Sequence, residues 1–179
     1  MDRKAILLRR VNEADYPFIL RANRENVEVL APMNEAKLEK FVEFAELFAV
    51  AEVDGAPAAF IIVLREGVRD YDSENYRWFS EKYTKFLYID RIVIDEPYRR
   101  LKIGRKLYRA VFDHARETAV PIVTAEIDTI PYNEASLKFH EAMGFREAGS
   151  QFVRGGSIKV SLQKADVWPV GGYDKSGRS

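Results

Sequence analysis

The sequence predicts a single α/β domain, and three observations carry that expectation. Strand-like and helix-like segments alternate along the chain. Its 179 residues suit one core better than two. A strongly apolar strand also runs through a polar turn into an amphipathic helix, the join that α/β units are built from. Hairpins before and after that unit add the layering of an α+β protein.

Taken in order, Ala5 to Val11 read as a first strand. A helix follows, with Asp15 as its cap and Pro17 in its first turn. Glu35 to Leu47 is a second helix, with Leu38, Phe41, Val42, Ala45 and Phe48 at helical spacing. Phe48 to Val53 and Ala58 to Leu64 form a hairpin around Asp54-Gly55. Lys85 to Asp95 is the apolar strand, and Lys102 to Thr118 the helix, whose stripe is Ile103, Leu107, Ala110, Val111 and Ala115. Ile122 to Asp128 is a further strand, and Asn133 to Met143 a short helix stopped by Gly144. Phe145 to Val153 and Ser157 to Gln163 make a last hairpin around Gly155-Gly156. Residues 1–165 form the domain, and 166–179 read as a mobile tail.

Composition narrows the function. Lys+Arg and Asp+Glu both number 28, so a neutral chain offers no electrostatic case for nucleic acid or an anionic membrane as partner. Hydrophobic residues make up 47%, ample for a core, yet no run approaches the roughly 18 apolar residues of a membrane helix. There is no Cys, which removes disulfides and thiolate nucleophiles and is compatible with a reducing cytoplasm. The N-terminal apolar run is too short for a signal peptide. No metal site is expected, and the chain reads as a monomer or homodimer.

The stretch IVIDEPYRRLKIGRKL, Ile92 to Leu107, is the most informative. Its turn presents free backbone N–H groups at a helix N-terminus, which together with the helix dipole suit a pyrophosphate. Gly104 permits close approach, and Arg99, Arg100, Lys102 and Arg105 add positive charge. A plain turn with a solvated basic cluster has the same spacing. A P-loop is excluded, because Gly104 is followed by Arg105-Lys106. A second stretch, Arg69 to Tyr83, mixes Tyr71, Tyr76, Trp78, Phe79 and Tyr83 with Asp72, Ser73, Glu74 and Asn75. It reads equally as a loop or short helix whose rings pack on the core, or as a wall over a substrate pocket.

YRRLKIGRKL resembles the coenzyme A signature of the GCN5-related N-acetyltransferase (GNAT) superfamily, Arg/Gln-x-x-Gly-x-Gly/Ala. Arg99 matches the first position and Gly104 the last, with Lys102 standing where the first glycine is usual. That departure is tolerable if residue 102 keeps φ below zero. The block TAEIDTIPYNEASLKFHEAMGF, Thr124 to Phe145, resembles the family's later motif through Asn133, Ala135 or Ser136, Phe139, Gly144 and Phe145. Tyr71-Asp72-Ser73, Asn75-Tyr76-x-Trp78-Phe79 and Asp90-Arg91-Ile92-Val93 are similar to a bacterial branch of the family that brings no substrate with it.

The resemblance implies a mixed central sheet in which two parallel strands, Lys85–Asp95 and Ile122–Asp128, splay apart. It implies acetyl-CoA as co-substrate, with pantetheine against the backbone of Ile92, Val93 and Ile94, and pyrophosphate on residues Arg99, Arg100, Leu101, Lys102, Ile103, Gly104 and Arg105. Asn133 and Ser136 would face the pantetheine arm, although Asn133 reads equally well as a helix N-cap. The activity implied is acetyl transfer to an amine by direct attack in a ternary complex, or else acetyl-CoA sensing on the same fold. His140 stands where the family often has a Tyr that protonates the leaving thiolate, and a packed helix His is the other reading. For the base, Glu126 is favoured. Glu126 and Asp128 share one strand face, and Asp90 is expected on the face of Tyr88, Ile92 and Ile94. An ion pair of Asp90 or Asp128 with Arg91, or a solvent relay, would leave those acids without that role. His114 reads as structural. Tyr71, Asp72, Tyr76, Trp78, Asp90 and Asp128 are the candidate acceptor residues, and an acidic, aromatic insert suits a small cationic amine better than a protein.

Overall fold

The computed structural model describes residues 4–26 and 30–168. The elements are β1 (Ile6–Arg10), α1 (Tyr16–Arg24), α2 (Glu35–Phe44), β2 (Leu47–Val53), β3 (Ala56–Arg65), α3 (Glu74–Lys82) and β4 (Leu87–Ile94). They continue with α4 (Ile103–Glu117), β5 (Ile122–Ile130), α5 (Glu134–Ala142), β6 (Arg146–Val153) and β7 (Ile158–Asp166). The expected tail falls from residue 169 onward outside the described residues, while Asp166 still belongs to β7 and Val167 is buried.

One seven-stranded mixed sheet has the order β1-β2-β3-β4-β5-β7-β6. The expected α/β class and splayed parallel pair are both present. β4 and β5 run parallel but pair only at Leu87↔Val123 and Tyr88↔Thr124, and then part. β4 carries a bulge there, because Ile62 faces Arg91 and Val63 faces Ile89, leaving Asp90 as the extra residue. β5 instead holds its ladder with β7 from Ile122 to Ile130.

Helices cover both faces. On one, α4 and α5 pack through Ile103, Leu107, Val111 and Phe139 against Ile89, Val123 and Ala125. Burying each such aliphatic side chain contributes about 1.5–3 kcal/mol. On the other, Ile19 of α1, Phe41 of α2 and Phe79 of α3 pack against Phe60, Tyr88 and Leu162. Among the described residues, no helix is long and apolar enough to cross a membrane.

Several sequence expectations shift. α2 stops at Phe44, with Ala45 extended, because Leu47 and Phe48 are taken up by the β2–β3 ladder. Asp15 does not cap α1 with its side chain. It is buried against the Arg9 guanidinium at 2.7 Å, which holds its carboxyl below the usual range, and it closes a capping box with Asn12 on the 3-10 turn Glu13–Asp15 that precedes α1. The Arg69–Tyr83 stretch contains a helix, α3, capped by Ser73 through the Tyr76 N–H. His114 faces Glu46 at 2.8 Å on the helix surface.

Candidate active site

Where β4 and β5 part, a cavity of about 600 Å³ passes between them and reaches both faces of the sheet. Its walls include Ile89 to Ile92 on β4 and Ala125 to Asp128 on β5. Toward the α4/α5 face it meets Tyr108, Asn133, Ser136 and His140, and toward the opposite face Lys37 and Tyr71 to Asn75. The bulge that opens it also decides which way β4's side chains point. Tyr88 and Val93 pack on the α1–α3 side and Ile92 and Ile94 on the α4 side. Asp90 hydrogen-bonds Tyr71, so it shares the side of Tyr88 but not, as the simple alternation predicts, that of Ile92 and Ile94.

Glu126 sits inside the gap. The Tyr88 hydroxyl donates to its Oε1 at 2.9 Å, while Oε2 is buried with no partner among the described residues. Burial pushes this carboxyl up to about 8, with the Asp90 charge adding to the rise and the Tyr88 bond opposing it. Asp128 lines the cavity on the same strand face, and burial raises its pKa too. Asp90 is consumed. The Tyr71 hydroxyl donates to one oxygen, and the Arg91 Nε–H donates to the other at 2.6 Å.

His140 is 6% exposed and held at both ring nitrogens. Nδ1 lies 2.8 Å from the Ser136 carbonyl, which only accepts, so Nδ1 carries a proton. Burial lowers the ring's pKa, so the imidazole is neutral. Nε2 therefore accepts from the Tyr108 hydroxyl at 2.8 Å. The labile proton of the pair sits on Tyr108, a residue that sequence reasoning passed over. A signal was present, since Tyr108 follows Gly104 by four positions on the buried α4 stripe, an awkward place for a hydroxyl unless it has a partner.

A second cavity, of about 690 Å³, lies over the start of α4, walled by Ile94, Tyr98, Arg100, Lys102, Ile103, Gly104, Arg105, Arg109 and Phe139. No side chain caps α4, whereas Asn34, Ser73 and Asn133 cap α2, α3 and α5. The first turn of α4 holds no acidic residue, so its basic residues face the positive end of the dipole. Lys102 takes φ 61 and Arg100 φ 73. The negative φ that would make a side chain at 102 tolerable is not adopted. The turn needs a left-handed residue there, and a side chain takes that conformation at a cost of about 1–2 kcal/mol. Gly104 serves packing, as a Cβ there would come within 3.3 Å of Ile94 Cδ1. Arg99 turns back toward the Ile94 carbonyl, and Leu101 packs on the core, so neither lines this cavity. Arg109 was also missed, although it follows Lys102 and Arg105 at helical spacing.

Not every candidate residue reaches the gap. Val93 faces the α1–α3 core, although its backbone belongs to the strand edge left open beyond Tyr88. Tyr76 donates to the Arg65 carbonyl and accepts from the Val68 N–H, which locks it into the core beside Phe86. Trp78 packs on β6, where a Cβ at Gly149 would lie 2.4 Å from its ring, with Lys82 4.5 Å from the ring centroid. Both stand outside the gap because α3 turns them inward or toward β6, while its N-terminal end, Tyr71 to Asn75, forms the wall. The side chain of Asp72 is 96% exposed and pairs with Arg77. Asn133 spends its oxygen on the Ser136 N–H.

These features fit acetyl-CoA: an uncapped, basic helix start for phosphate, an open strand edge leading away from it, and an unpartnered carboxyl oxygen at the end of that path. The acetyltransferase (GNAT) family model matches residues 11–145. Among solved structures, Ard1 from Thermoplasma volcanium superposes with a TM-score of 0.73 at 18% identity, covering 92% of this chain and 99% of that one. NAA60 from Arabidopsis thaliana, in complex with a bisubstrate analogue, gives 0.71 at 16% identity, with 90% and 98% covered. The ribosomal-protein-S18-alanine N-acetyltransferase from Escherichia coli gives 0.67 at 18%, with 91% and 94% covered. A search of curated proteins gives no significant match. At such identities the structural likeness establishes the fold, while the family model covers both strands of the gap, the basic turn and α5. The chain therefore belongs to the GNAT family of acetyltransferases, acyltransferases whose co-substrate is acetyl-CoA.

Proposed function

We propose that the protein transfers the acetyl group of acetyl-CoA to a small-molecule amine within the β4–β5 gap. The observation that carries this reading is the position of Glu126, whose unpartnered oxygen lies in one cavity open to both faces of the sheet. The cavity's size, about 600 Å³, falls in the range of small-molecule sites.

Acetyl-CoA supplies an activated acyl carbon. The first turn of α4, with Arg100, Lys102, Ile103, Gly104, Arg105 and Arg109 around it, holds its pyrophosphate, so that the unfavourable cations at the helix start gain an anion. The open β4 edge at Ile92, Val93 and Ile94 pairs with the pantetheine arm as a further strand would, and Asn133 and Ser136 flank it. Glu126 takes a proton from the acceptor's ammonium, a task for which a pKa near working pH is suited. The freed amine forms the C–N bond as the C–S bond breaks. The Tyr108 hydroxyl turns its proton from His140 Nε2 to the departing sulfur, the proton on Glu126 returns to Tyr108 through water, and the second proton shed by the acceptor nitrogen leaves to solvent. Asp128 and the wall from Tyr71 to Asn75 orient the acceptor.

Free coenzyme A release measured across a panel of amines, amino acids and peptides tests this reading. Turnover with at least one small amine is expected, falling at least about 10²-fold in Glu126→Gln, the lower end for general acid–base catalysis. Acetyl-CoA binding without release across the whole panel would indicate a sensor instead.

A further inference from the structure

Resting on the acetyl-transfer reading of the gap, we infer that the acceptor carries a carboxylate as well as its amine, and that Lys37 and Arg91 hold that carboxylate while Glu126 receives the ammonium. The cavity is bipolar. Glu126 and Asp128 line it from β5, with Arg154 near Asp128, while the cations Lys37 and Arg91 lie at the α2 end beside Asp90. Both cationic heads rest on one ring: Arg91 Cζ is 5.0 Å and Lys37 Nζ 5.9 Å from the Phe41 centroid. Two like charges share this small space with a single carboxylate, Asp90, which is already committed to Arg91 Nε and the Tyr71 hydroxyl.

The remaining hydrogen-bonding capacity points the same way. Arg91 is 4% exposed, and its Nη1 is spent on Asn23 at 2.7 Å and on the Ala31 carbonyl at 3.2 Å. Its Nη2 has no partner among the described residues. Lys37 Nζ reaches only the Pro32 carbonyl, at 3.4 Å, and no carboxylate among the described residues lies within ion-pair range of it. Burial, and then the Arg91 charge, hold the Lys37 ammonium below its usual pKa. A substrate carboxylate bridging the two heads satisfies donors that the protein leaves open and offsets their repulsion.

A polycation fits less well. Of the acids lining the gap, Asp90 is paired with Arg91 and Asp72 with Arg77, Asp128 feels the Arg154 charge and Glu74 is exposed, which leaves Glu126 as the buried acid for one ammonium. The sequence alone suggested a cationic acceptor because its acidic, aromatic insert does not show which cations those acids already meet.

The test compares the standard amino acids with their carboxamides and with simple alkylamines and diamines, using the full chain. Two readouts apply: coenzyme A release, and calorimetric binding to protein saturated with coenzyme A. The inference expects an amino acid to exceed its carboxamide in kcat/KM and in affinity by tenfold or more, as losing one charge-assisted contact implies. Lys37→Met, on the surface of α2, should erase most of that preference, chiefly through the KM of the amino acid. Carboxamides or alkylamines that match or surpass the acids, or a preference unchanged in Lys37→Met, would overturn it. Release with carboxylate-free amines alone would sink this inference and leave acetyl transfer standing. If no amine supports release, acetyl transfer fails, and the binding comparison still decides the carboxylate.

Discussion

The Tyr108 hydroxyl lies 2.8 Å from His140 Nε2, and the Ser136 carbonyl at His140 Nδ1 fixes which of the two holds the proton. At rest the tyrosine's proton is directed to the neutral histidine on α5, and the tyrosine on α4 becomes a donor toward the gap when its hydroxyl turns from Nε2. Burial raises the Tyr108 pKa and lowers that of His140, so each is held in its neutral form.

Tyr108→Phe keeps the ring that packs edge-on to Phe139 and removes only the hydroxyl. Turnover should fall by about 10²–10⁴-fold, the span for losing a general acid, with acetyl-CoA affinity near wild type. Steady-state rates and calorimetry check this. A fully active variant would make the Tyr108–His140 pair a packing feature.

Glu126 gives a pH signature. As the base it must be ionised, so kcat/KM for the acceptor should rise with pH through a limb near 8, and Glu126→Gln should lose that limb. Stability runs the other way. The folded carboxyl binds its proton more tightly than its ordinary value of 4.5 implies, so this contribution is complete below 4.5 and is lost as pH rises toward about 8. Over that window Glu126→Gln should gain melting temperature relative to wild type, which paired thermal scans from pH 4 to 9 can read.

Lys102 occupies a left-handed position at φ 61. Lys102→Gly and Lys102→Ala both remove the charge, but only glycine relieves the backbone. The glycine variant should be more stable than the alanine variant by about 1 kcal/mol in denaturant unfolding. Both should bind acetyl-CoA more weakly than wild type by a similar factor if the charge is what serves the phosphate.

Trp78 and Gly149 form one packing unit. Trp78→Ala should destabilise by up to the 3–5 kcal/mol typical of a large buried aromatic, less because Trp78 is only partly buried. Gly149→Ala should destabilise as well, since its Cβ has no room beside the ring. The double variant should cost less than the sum of the two. Acceptor kinetics should not change in any of them.

The sequence made the skeleton readable, because strand and helix periods are local. The β4 and β5 strands, the α4 stripe and the Gly144 stop all lie close to where their residues predict, while the splay of the pair is implied by the family resemblance. What stayed hidden depends on contacts across the chain. The bulge at Asp90 shifts the face of every later β4 side chain, and no local pattern announces it. The Asp90–Arg91 ion pair is one of the readings the sequence offers, but the partners that hold it, Tyr71 and Asn23, are distant in sequence. Tyr108 and His140 are 32 positions apart and meet only once α4 and α5 pack. Trp78 looked like an acceptor wall because aromatic residues beside acids read alike in a lid and in a helix that leans on β6.

A crystal structure of the protein with coenzyme A bound tests the central claim most directly. Pyrophosphate density is expected at the start of α4, beside Lys102 and Gly104, and the thiol end between β4 and β5 within reach of Tyr108 and Glu126. Coenzyme A seated elsewhere, or a thiol end that stops short of the gap, would contradict that claim.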